Sequence, residues 1–143
     1  PPSRTPNLTS APVWSRWSKG EIAMLTPKEI AITAVKALDS KKGQDIKVLE
    51  TGHLTTLADY FVLCSATSTT QIKALADVCE KMLKDAGEPP HHVEGHRGGI
   101  WILLDFSSVV VHIFNEEARQ FYDLERLWSD ATPMDLSDIL TEG

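Results

Sequence analysis

Five apolar residues in a row, Tyr60-Phe61-Val62-Leu63-Cys64, constrain this chain more than any other feature. A strand with one wet face alternates apolar and polar side chains, so an unbroken run suits a strand covered on both faces. Such a strand needs neighbours in a sheet and packed layers above and below it. Close behind it, Ser68-Thr69-Thr70-Gln71 has the form of a helix start, with Ser68 placed to accept from the Gln71 amide and the Gln71 side chain placed to reach back. Ile72, Leu75, Cys79, Met82 and Ala86 follow at helical spacing before Gly87, which describes one apolar face and its stop. Cys79 is thereby a core residue of that helix.

The remaining elements follow from local signals of the same kind. Thr26-Pro27-Lys28-Glu29 is a capping box with proline at the first helical position, and Leu25 with Ile30 has the spacing of a hydrophobic staple. Ile30, Ala31, Ala34, Val35 and Leu38 share a helical face that ends at Lys41-Lys42-Gly43, read as a positive last turn and a glycine stop. Ile46 and Val48 alternate with polar residues as a strand. A short extended piece surrounds Val93, and after Gly95, Gly98 and Gly99 come two strand patterns, Trp101 to Asp105 and Val109 to Phe114, joined as a hairpin through Phe106-Ser107-Ser108. Asn115 caps a last helix with Glu116 and Glu117 in its first turn. The expected architecture is α/β (α+β): a mixed sheet of about five strands with helices packed on it.

A chain of 143 residues with 42% hydrophobic residues has room for one domain and its own core. That domain is expected over residues 24–128. Residues 1–23, rich in Pro and Ser, read as a disordered leader, with an appended leader favoured over the remnant of an organelle transit peptide or an over-extended start ahead of Met24. Residues 129–143 read as an acidic tail able to dock only transiently. Between Asn115 and Gly143 stand eight acids against two arginines, a difference equal to the whole chain's net charge of −6. Such a surface repels phosphate backbones and attracts basic proteins, so direct nucleic-acid readout is not expected. No apolar stretch is long enough for a membrane span, and two cysteines without metal-ligand spacing support neither a zinc finger nor a secreted disulfide framework. A cytoplasmic protein is the default, with an organelle matrix less favoured.

Four places hold residue types that can carry chemistry. The segment from Cys64 to Gln71 joins a strand to a helix start, where phosphates bind, but it lacks the glycines and the Lys-Ser/Thr pair of a phosphate loop. It also lacks the arginine of a cysteine phosphatase loop and the glycines of a nucleophile elbow. His91, His92 and His96 around Glu94 are zinc-ligand types on one segment, without the usual helical spacing. Asp59 and Asp105 stand at strand borders, each without the second acid that a two-metal centre needs. His112 lies in an apolar strand with no nucleophile beside it and reads as a histidine satisfied by hydrogen bonds. No catalytic residue, metal or cofactor is assigned.

Five blocks together carry a resemblance: Ala58 to Leu63, Thr67 to Asp77, Gly99 to Phe106, Val110 to Phe114 and Phe121 to Trp128. In that order and spacing they resemble the ribosomal silencing factor family, also called the Iojap family, from about Thr26 to Trp128. The resemblance implies a nucleotidyltransferase-like fold that has lost its catalytic acids. It also implies binding to the large ribosomal subunit through that subunit's protein number fourteen, which blocks joining of the small subunit and represses translation. Self-association as a homodimer is implied too. One departure is Ser65-Ala66, where the family more often has a glycine, and it bears on the tightness of that turn. The alternative is an active nucleotidyltransferase on the same fold, and a hydrolase using metal at His91 to His96 is a third reading.

Exclusion by binding needs only a surface, dominated by a few aromatic or arginine anchors. Trp101, Leu103 and Asp105 share one strand face by alternation, opposite Ile102 and Leu104, and are expected to meet the partner. Tyr122 adds a rigid amphipathic ring, and Asp105 with Glu117 is expected to pair with basic groups of a ribosomal protein. Trp128 is assigned to packing.

Overall fold

The computed structural model describes residues 25–140, so the expected leader lies outside the described residues. Thr26 opens α1 (Pro27–Ser40) with a complete capping box: its hydroxyl accepts from the Glu29 amide at 3.1 Å, and the Glu29 carboxylate accepts from the Thr26 amide at 2.8 Å. Ile30, Ala31, Ala34, Val35 and Leu38 are buried, as their spacing requires. The exit from the helix differs from the expected glycine stop. Lys42 takes the left-handed conformation (φ 64°), while Gly43 serves close packing, because a Cβ there would stand 2.5 Å from the Cys64 sulfur.

The elements that follow are β1 (Gln44–Glu50), β2 (Tyr60–Ala66), α2 (Thr69–Asp85), β3 (His92–Glu94), β4 (Trp101–Asp105), β5 (Val109–Asn115), α3 (Glu116–Tyr122), α4 (Leu124–Leu127) and β6 (Thr132–Pro133). They form a mixed sheet in the order β3-β4-β5-β2-β1-β6. Only β2 and β5 run parallel, and a parallel pair needs a crossover, which includes α2. Strand β2 is buried on both faces: Val62, Cys64 and Ala66 join the core beneath α1 and α2, while Phe61 and Leu63 join a second cluster with Leu49 and Phe114.

Helix α2 starts with half of the expected box. Ser68 Oγ accepts from the Gln71 amide at 3.0 Å, but Gln71 Oε1 accepts from the Thr67 amide at 2.8 Å rather than from Ser68. Its Nε2 donates to the Lys42 carbonyl at 3.2 Å, so the side chain bridges to the end of α1. Leu83, four residues after Cys79, is fully buried and Met82 only half so, because the buried stripe follows the i, i+4 row. Ser65 and Ala66 extend β2 instead of forming a tight turn.

The stretch after Trp128 departs most from the reading as a tail. Thr132 and Pro133 pair with Glu50 and Leu49, the Met134 amide donates to the Val48 carbonyl at 2.9 Å, and Leu136 is buried in the main core. The sheet therefore has six strands rather than about five. The sixth pairs with part of the outer edge of β1, and its proline blunts the new edge.

The exchange of roles at the end of α1 is testable by urea denaturation. Lys42→Gly removes left-handed strain and is expected to stabilise by about 1 kcal/mol. Gly43→Val overpacks the Cys64 contact and is expected to destabilise by roughly 1–3 kcal/mol.

Candidate docking face

Helices α1 and α2 cover one face of the sheet. On the other, α3, α4 and the turn after them supply Ala118, Leu124, Trp128 and Ala131, which pack with Leu49, Phe61, Leu63 and Phe114. Alternation along β4 buries Ile102 and Leu104 fully in the main core and leaves Trp101, Leu103 and Asp105 half-buried. Trp101 and Leu103 line a shallow cleft of about 200 Å³ with Glu94 and Gly95 of the neighbouring edge. Gly95 permits that approach, since a Cβ there would lie 2.1 Å from the Trp101 carbonyl oxygen.

Trp101 is held from several sides. Its ring lies 4.5 Å from Tyr122, 5.6 Å from Phe114 and 5.8 Å from His112, centroid to centroid. Its Nε1–H donates to His112 Nδ1 at 3.1 Å, which places the histidine proton on Nε2. That Nε2 is buried and has no hydrogen-bond partner among the described residues, so the expected full satisfaction of His112 is only half met. Burial among rings pushes the His112 imidazole down to about 4, so it is neutral near pH 7.

Of the residues expected to meet a partner, the fold brings Trp101, Leu103 and Tyr122 together. Tyr122 is 51% exposed, and its edge meets Phe121 at 5.0 Å. Asp105 stands at the far end of β4, about 13 Å from Trp101 at the usual rise per residue. Its Oδ1 accepts from the Ser107 amide at 2.7 Å, so one carboxylate oxygen is engaged in the hairpin turn. Glu117 is exposed in the first turn of α3, beside the Trp101 end of β4, where the Asn115 amide donates to Ile100. Glu94 and Glu116 are also exposed, and although exposed Arg126 lines a cleft with Phe121 and Tyr122, acids outnumber it around this face.

The sequence reading passed over Phe121 and Leu127, which are 80% and 69% exposed and continue the aromatic face outward. The Phe-Tyr pair at the end of a short helix that opens with two acids was the available signal. It also passed over Arg119, which is 3% exposed and bonded to Glu125, Ser65 and the Asp45 carbonyl. Trp128 packs edge-on against Phe61 at 5.2 Å, consistent with its assignment to packing.

The other chemistry candidates stay apart. His92 pairs with Glu94, and His96 with Asp77 at 2.9 Å, in two separate contacts. Among the described residues no three His, Cys, Asp or Glu side chains converge as a metal site. Cys64 and Cys79 are buried free thiols, and burial pushes Cys64 up to about 12, a poor nucleophile at neutral pH. Among the described residues no helix is long and apolar enough to cross a membrane.

This geometry defines an α+β protein with an aromatic, acid-rimmed sheet face. The family described as ribosomal silencing factor during starvation matches residues 25–142, and the chain belongs to that family. Ribosomal silencing factor RsfS of Chromobacterium violaceum is 40% identical over 106 residues, covering 74% of this chain and 87% of that protein. Ribosomal silencing factor RsfS of Bacillus subtilis is 35% identical over 112 residues, covering 78% and 95%. A crystal structure of a Chromobacterium violaceum protein superposes with a TM-score of 0.72 at 39% identity, over 73% of this chain and 88% of that one.

The buried histidine makes stability pH-dependent. An unfolded histidine titrates near 6.5, so between there and about 4 the unfolded chain holds a proton that folded His112 does not. Its neutral form supports the fold fully above that window, and stability falls as the pH falls through it. Between pH 7 and pH 5 the His112 share is about 2 kcal/mol. His112→Asn keeps an acceptor for Trp101 and should shrink the loss by that amount in urea titrations at the two pH values. An unchanged loss would contradict the assignment.

Proposed function

We propose that this protein is a ribosomal silencing factor that works by occupation. It binds the large ribosomal subunit through that subunit's protein number fourteen, covers a surface the small subunit needs for joining, and so represses translation. The observation that carries this reading is the Trp101–Tyr122 pair, at 4.5 Å, on the sheet face opposite α1 and α2. Rigid aromatic rings are the usual anchors of protein interfaces, and a standard interface needs roughly 800 Å² on each partner. The acidic rim of Glu94, Glu116 and Glu117 suits a basic ribosomal protein and speeds encounter with it. Asp105 and Leu103 extend the same face. The names of the relatives support the role.

Blocking a surface requires no bond to be made or broken, so the reading is of a regulator and not an enzyme. The protein would act wherever its large subunits are, with cytoplasmic ribosomes as the default.

Co-sedimentation with separated large subunits, followed by a subunit-joining assay, tests the reading. Tyr122→Ala, at a half-exposed position, is expected to weaken binding at least tenfold with little change in melting temperature. Trp101→Ala is expected to cost about 2 kcal/mol of binding, roughly a thirtyfold loss of affinity. Wild-type binding by both folded variants, or unhindered joining in the presence of saturating protein, would refute docking through this face. Magnesium-dependent nucleotide binding that is lost in Asp105→Asn would favour the enzyme instead.

A further inference from the structure

We propose that Arg119 is the positioning residue of the docking face: its buried guanidinium ties α3 to β1, β2 and α4 and thereby sets how Tyr122 and Phe121 are presented. The inference rests on the docking reading above. Helix α3 has seven residues and α4 has four, and α4 contains no buried residue. Helices this short do not persist by themselves in water, so their orientation must be imposed from outside. A single left-handed residue, Asp123 (φ 47°, ψ 55°), separates the two helices, and Leu124 and Trp128 alone pack the second one on the sheet.

Arg119 supplies the hold. Its Nε and Nη2 donate to the two carboxylate oxygens of Glu125 at 3.1 and 3.2 Å, a fork that reaches α4. Nη1 donates to the Asp45 carbonyl at 2.6 Å and to Ser65 Oγ at 2.9 Å, and Nη2 lies 3.6 Å from the Asp45 carboxylate. Four of the five guanidinium N–H groups therefore have an acceptor, and the Asp45 carboxylate adds a counter-charge beside Nη2. Asp45 sits in a β1 bulge with φ 49°, where the register with β2 shifts, and a bulged residue stands outside the ladder. Its carbonyl can thus serve Arg119. Lys47 adds a second cation on Glu125 at 3.0 Å, and the Arg119 hydrogen bond is the main reason that carboxyl titrates below the usual range.

Helical geometry transmits the hold to the surface. At about 100° per residue, Phe121 lies roughly opposite Arg119 on α3, and Tyr122 lies to one side. Burying Arg119 turns Phe121 outward, at 80% exposure, and swings Tyr122 over Trp101. Lysine cannot replace this arrangement, because a point charge on a flexible stem lacks the planar fork.

The test compares Arg119→Lys, Glu125→Ala, the double variant Arg119→Met with Glu125→Leu, and Tyr122→Ala. Three quantities are measured: melting temperature, affinity for purified large subunits by co-sedimentation, and nuclear Overhauser contacts between the Trp101 and Tyr122 rings. Arg119→Lys and Glu125→Ala are expected to lose the ring contact and at least tenfold in affinity. The double variant replaces the ion pair by apolar groups and is expected to regain stability while affinity remains at least tenfold low. A purely structural role predicts that affinity returns with stability in the double variant, and that result would overturn the proposal. Intact ring contacts with affinity within twofold of wild type, in either folded single variant, would overturn it as well. Wild-type binding by both Tyr122→Ala and Trp101→Ala would show instead that the docking reading itself is wrong.

Discussion

The two faces of β2 are covered by different means, and that asymmetry organises the molecule. Beneath α1 and α2, helices of 14 and 17 residues bring apolar stripes onto Val62, Cys64 and Ala66. Long amphipathic helices gain their stability from such burial. Over Phe61 and Leu63 the cover is two short helices and a turn, fixed by a buried arginine, a capping asparagine and a few apolar contacts. The first cover is thick and closed. The second is thin, and it leaves β4 half-exposed.

That half-exposed strand carries the face proposed to dock. Trp101 rests on His112 and Phe114 and leans on Tyr122, so the aromatic surface is supported from the sheet side and does not collapse into it. Neutral His112 accepts from the indole without bringing a charge into the cluster. Around the rings stand carboxylates, which give the face its sign. In the proposed docking, a partner would find rigid apolar area at the centre and mostly negative charge at the edge, the distribution that separates anchoring from steering in protein interfaces.

The buried Arg119 gives the thin cover its precision. A guanidinium taken out of water is costly unless each donor is satisfied, and here each has its acceptor or counter-charge. Apolar packing tolerates small rotations, whereas a fork of hydrogen bonds does not. A short helix held in this way can carry a docking surface without a large core of its own.

Helix starts, the hairpin and the doubly buried strand were legible in the sequence because each rests on neighbours within a few residues. The Thr26 box, the Asn115 cap and the 3.6-residue stripes are local physics, and alternation alone put Trp101 and Leu103 on one face. Gly43, Lys42 and the segment around Thr132 were misread because their roles depend on what lies across space: the Cys64 sulfur, the Gln71 side chain on the Lys42 carbonyl and the open edge of β1. Arg119 in a charged helix looks like any exposed arginine until the β1 bulge and Glu125 are brought to it. The sequence by itself determined where the two long helices and the main strands lie and which side of each is apolar, since those follow from periodicity and capping. Only the tertiary structure decided which sheet face remains half-exposed, how Tyr122 meets Trp101 and that Arg119 is buried, because those depend on contacts between residues far apart in the chain.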